Sequence, residues 1–89
     1  MIVVKVVYMY TPLCGTCQVA SRMVDVLEQL LPSVAFERQD LNYVPDKAVE
    51  WCVESVPCLL IFQHDKLVQK IYAFHSVPYL YETLRKLAK

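Results

Sequence analysis

The sequence predicts an α/β fold whose elements run β-α-β-α-β-β-α, with a four-stranded mixed central sheet flanked by helices. Three observations predict it. Residues 3–10 and 58–62 are apolar runs rich in β-branched and aromatic side chains, as in strands buried on both faces. Apolar residues recur at helical spacing in 15–31 and again in 77–87. A strand, a crossover helix and a parallel strand open the chain, and a hairpin with a helix closes it.

Val3 to Tyr10 forms the first strand, and Thr11-Pro12 breaks it because Pro12 has no backbone donor for a ladder. From Gly15 to Leu31 the set Val19, Met23, Val26, Leu27 and Leu30 marks the apolar face of a helix. Gln18, Arg22, Asp25 and Gln29 fall largely opposite, and Pro32 ends the segment. Val34 to Asp40 is a second strand with Val34 and Phe36 on one face. Asn42 to Pro45 is turn chemistry, and Pro45 suits the first turn of a short helix through about Val53. Cys58 to Phe62 is the third strand. His64-Asp65 is a hairpin connection without the usual glycine. Lys66 to Tyr72 alternates Leu67, Gln69 and Ile71 with Val68, Lys70 and Tyr72, as an antiparallel strand does. Ser76 caps the last helix, which turns Val77, Leu80, Tyr81, Leu84 and Leu87 inward and Glu82, Arg85 and Lys86 outward.

With 89 residues, 56% of them hydrophobic, the chain is expected to be one domain, 1–89, with a modest core and no disorder. Its formal net charge is zero and no like charges cluster, so neither nucleic acid nor a membrane surface is an expected partner. Met1 to Val7 reads as a strand and not as a leader, and no apolar run approaches the roughly 20 residues that span a bilayer. A monomeric, soluble, cytoplasmic protein is the expectation.

The chain has four cysteines. Its core is rich enough to fold without staples, and a close pair then reads as catalytic or metal-binding. Cys14-Gly15-Thr16-Cys17 sits between a strand and a helix, where two thiols can close and reopen a disulfide. The helix N-terminus offers unpaired N–H groups and a positive dipole end that favour a thiolate at Cys14. Cys14 is thus the expected nucleophile, and Cys17, one turn in, the resolving thiol. Structural zinc needs about four ligands, and Cys52 and Cys58 form no second close pair, so no metal is expected. Those two are read as small buried hydrophobes. His64 reads as a solvated turn residue and His75 as a loop residue, neither with a partner that would make it a base. Tyr10 either borders the motif or simply packs.

Tyr10-Thr11-Pro12-Leu13-Cys14-Gly15-Thr16-Cys17 and Ser55-Val56-Pro57, with the hairpin and last helix, resemble a minimal thioredoxin-fold protein over essentially the whole chain. The resemblance implies a dithiol oxidoreductase that needs no cofactor. It would reduce disulfides in protein partners through a redox-active Cys14–Cys17 pair and be recharged by a thioredoxin-reductase-like donor. It also implies that Leu13, Gly15, Val56 and Pro57 bind substrate. Gly15 would allow close approach of another chain. Pro57 would be cis, with the Val56 backbone pairing with an extended substrate segment. The sequence departs from the family at three places: Leu13 stands where a tryptophan is common, Thr16 where a proline is usual, and Tyr8 where thioredoxins place a buried aspartate. The chain also lacks the additional strand and helix with which full-length thioredoxins usually begin, and its length is nearer that of a glutaredoxin. Glutathione-dependent exchange is therefore an alternative, although the only glycine is Gly15 and glutaredoxins hold the tripeptide on a Gly-rich turn. A non-catalytic metal-binding or docking module is a further alternative.

Overall fold

The computed structural model describes residues 4–88, so Met1, Ile2 and Val3, which the predicted first strand reaches into, lie outside the described residues. The elements are β1 (Val4–Tyr10), α1 (Gly15–Leu30), β2 (Ala35–Asp40), α2 (Pro45–Glu50), β3 (Cys58–Gln63), β4 (Lys66–Ile71) and α3 (Val77–Leu87). A 3₁₀ turn at Leu41–Tyr43 precedes α2, and the Asp40 carboxylate accepts the Asn42 N–H there at 2.9 Å. The strand order is β2-β1-β3-β4. β1 runs parallel to β2 and antiparallel to β3, and β3 runs antiparallel to β4.

β1 and β3 are the interior strands, which is why both read as apolar runs, broken only by the exposed Lys5 of β1. Val4, Val6 and Tyr8 of β1 join Leu59 and Ile61 of β3 on the face covered by α1 and α3. Val7 and Met9 join Cys58 and Leu60 on the other face, against Val44, Trp51 and Val53 around α2. The edge strands β2 and β4 carry most of the sheet's charged residues, which suits strands open to water on one side.

α1 starts where Cys14 leaves the helical conformation at φ −88°, ψ 114°, and it ends at Leu30, with Leu31 capping it just before Pro32. Its inward face is Cys17, Ala20, Val24 and Leu27, with Leu31 beyond its end. The expected inward set is therefore corrected. Leu27 belongs to the core, but Val19 and Leu30 are 55% and 50% exposed and Val26 is also open to solvent. The helix carries two apolar stripes about a third of a turn apart, and the sheet takes only one of them.

α2 ends at Glu50, short of the expected Val53. Trp51 closes it by donating its N–H to the Lys47 carbonyl at 2.9 Å, and Cys52 follows with φ 53°. Cys52 is exposed, against the expectation of burial, because that left-handed turn carries it out of the core side of the segment. Cys58 is buried as expected. His64 and Asp65 both take positive φ, 52° and 67°, the mirror-image turn that matches the twist of a two-residue hairpin. Ser76 caps α3, accepting the Tyr79 N–H at 3.2 Å. Leu80 and Leu84 are its buried stripe, flanked by the partly buried Val77, Tyr81 and Leu87.

Candidate active site

Cys14 and Cys17 are joined by a disulfide, with their Cα atoms 5.1 Å apart. Local geometry explains why they meet. Cys14 is the N-cap of α1, so its side chain leans over the first turn, and its Sγ accepts the Cys17 N–H at 3.1 Å. The Thr16 hydroxyl lies 3.3 Å from the same sulfur. In the reduced protein these two donors and the positive end of a 16-residue helix are what a thiolate at Cys14 would meet. Cys14 is half-buried whereas Cys17 is buried on the sheet side of α1.

The neighbours of the pair divide in two. Leu13 is 99% exposed, so the residue before Cys14 offers its whole side chain to an approaching surface. Gly15 has no positive φ, and a Cβ built on it meets nothing within 4 Å, so its own chain does not require glycine there. Across from them, the Val56–Pro57 peptide is cis. Pro57 lines a groove of about 350 Å³ together with Thr16, Val19 and Met23 of α1 and with Tyr72 and Phe74. The structure thus brings Thr16 of the motif and Pro57 to one apolar groove. Val56 packs into the other face of the sheet, with Trp51, Val53 and Phe62 around the same cluster.

Tyr10 stacks on Tyr8 with ring centroids 5.5 Å apart, which makes it a packing residue of the core that α1 covers. His64 is exposed in a turn and His75 in a loop, and His75 sets its ring edge-on to Tyr79 at 4.9 Å. Among the described residues no group of three or more His, Cys, Asp or Glu side chains is placed to hold a metal ion. No helix among them is long and apolar enough to cross a membrane.

Sequence reasoning missed four contributors. Met23 reaches the groove from α1, and Tyr72 and Phe74 from the segment after β4, and nothing local marks them. Tyr8 could have been suspected, because a hydroxyl in the middle of a buried strand must find a partner. It donates to the Cys17 carbonyl at 2.7 Å and lies 3.0 Å from Ser21 Oγ.

The thioredoxin family profile matches residues 2–86. The chain belongs to the thioredoxin family. A thioredoxin-like protein of Bacillus subtilis, YusE, is 51% identical over 93% of this chain and 78% of its own length. A thioredoxin H-type of Ricinus communis is 31% identical over 65% of this chain, which spans about half, 49%, of that protein. A mutant thioredoxin from Halobacterium salinarum superposes with a TM-score of 0.90 over 97% of this chain and 75% of its own. That structure is 21% identical, and the likeness speaks for the fold. Thioredoxins are protein-disulfide oxidoreductases, and a bonded cysteine pair at the start of a helix fits a dithiol active site of that kind.

Proposed function

We propose that this protein, acting as a single domain, reduces disulfides in protein partners by cycling Cys14 and Cys17 between dithiol and disulfide. The observation that carries the reading is the bonded pair itself, placed with Cys14 as the N-cap of α1 and its sulfur facing the Cys17 N–H. Cys14 thiolate attacks one sulfur of a substrate disulfide, forms a mixed disulfide and expels the other sulfur as a thiolate. Cys17, deprotonated, then attacks Cys14 Sγ, closes the Cys14–Cys17 bond and expels the second substrate thiolate. The pair loses two electrons and two protons in all, and the substrate gains them. The half-exposed position of Cys14 and the burial of Cys17 support this division of roles.

Leu13, Gly15, Val56 and Pro57 are the proposed docking positions, Leu13 and Gly15 through their exposure and Pro57 through the groove it shares with Thr16. A thioredoxin-reductase-like donor returns the electrons, and the protein works as a monomer in the cytoplasm. The test is insulin reduction with thioredoxin reductase and, separately, with glutathione as donor. Cys14→Ser is expected to abolish turnover, and Cys17→Ser to accumulate a covalent mixed disulfide with substrate. Undiminished turnover in Cys14→Ser would overturn the mechanism, and turnover with glutathione alone would replace the donor.

A further inference from the structure

Tyr8 lies in the middle of β1, 1% exposed, stacked on Tyr10 and edge-on to Phe74 at 6.1 Å. A phenylalanine would make the same ring contacts, so packing alone does not call for the hydroxyl. Burying a hydroxyl is unfavourable unless it is paired. This one is paired at the motif: it donates to the Cys17 carbonyl at 2.7 Å and sits 3.0 Å from Ser21 Oγ. A phenol has one hydrogen, and that hydrogen goes to the carbonyl. Ser21 is left to donate, which gives a directed chain from Ser21 through Tyr8 to Cys17. Burial holds the Tyr8 phenol above its ordinary 10.0, so it stays a donor over the pH range in which thiols exchange.

The carbonyl at the end of this chain belongs to the resolving cysteine. The strand at its start pairs Tyr8 with Leu59 and Met9 with Cys58, next to Pro57. The first turn of α1 is therefore tied to the strand pair that also places Pro57. Cys14 has its own partners, the Cys17 N–H and Thr16 hydroxyl, and touches neither Tyr8 nor Ser21 through them.

We propose that Tyr8, supported by Ser21, is a positioning residue for the resolving step, holding the Cys17 backbone so that its thiolate meets Cys14 Sγ in the mixed disulfide. This rests on the exchange reading above and adds a residue to it. The attack by Cys14 does not use Tyr8, and the second displacement does.

An aromatic disulfide that releases a coloured thiol at each displacement separates the two steps. The first release reports attack by Cys14, and the second reports attack by Cys17 on the mixed disulfide. The experiment uses the reduced protein with Cys52→Ser, so that the exposed third thiol does not contribute. Tyr8→Phe is expected to leave the first release unchanged and to slow the second about five-fold, the effect of one lost hydrogen bond. Ser21→Ala, at a half-exposed position, is expected to slow the second release to a lesser degree and decides the matter if Tyr8→Phe does not fold. Wild-type second-phase rates in these variants, or equal slowing of both phases, would overturn the positioning role. Absence of a second release in the parent protein would instead overturn the exchange reading.

Discussion

Cys58 opens β3 with its side chain fully buried among Val7, Met9 and Leu60. Burial pushes its thiol up from 9.0 to about 11, although Tyr72 and Lys70 pull the other way. The folded state thus keeps this proton over a range in which the unfolded chain gives it up. The stabilisation is complete below about pH 9 and is lost as pH rises toward about 11. The denaturant midpoint of the parent protein is expected to fall more steeply over that window than the midpoint of Cys58→Ala. Parallel pH curves would show that Cys58 ionises as freely in the folded protein as in the unfolded one. Its burial was legible, because an apolar run five residues long leaves its first member few other places. Cys52 was not, because its exposure depends on one left-handed residue after Trp51, and cysteine carries no sign of that backbone state.

α1 shows what periodicity leaves open at the scale of an element. Positions 17, 20, 24, 27 and 31 follow helical spacing, and so do 19, 23, 26 and 30, all of them apolar or small. The pattern establishes a helix and its polar side, where Gln18, Arg22, Asp25 and Gln29 are indeed exposed. Choosing between two apolar stripes needs the position of the sheet and of α3, which no local pattern contains. The energetic consequence is direct. Leu27→Ala removes a fully buried side chain and is expected to cost about 2–4 kcal/mol in a urea melt. Leu30→Ala, at a half-exposed position, is expected to cost less than about 1 kcal/mol. Equal losses would mean that Leu30 is covered in solution. The hairpin was legible from length alone: two residues between paired strands require a mirror-image turn, and His64 and Asp65 adopt it despite their side chains.

Across the whole molecule, the connection rules carried the topology. A crossover through α1 places β2 parallel beside β1, and the last hairpin adds β3 and β4 on the other side. The groove was only half legible. Thr16 and Pro57 are marked by their motifs and Met23 lies on the same helix as Thr16, whereas Tyr72 and Phe74 arrive there through folding of a distant segment. That groove is walled mainly by apolar side chains, and Leu13 stands fully exposed beside Cys14. Nine basic and nine acidic residues leave the formal net charge at zero. With substrate docked at this groove as proposed, such a molecule meets its substrates without long-range steering, and docking rests on short-range apolar contact. Reduction of a neutral protein disulfide should therefore change by less than about two-fold between about 10 mM and 1 M salt, as the screening length falls from roughly 30 to 3 Å. A ten-fold fall over that range would place a charged surface, and not the groove beside Pro57, at the centre of substrate recognition.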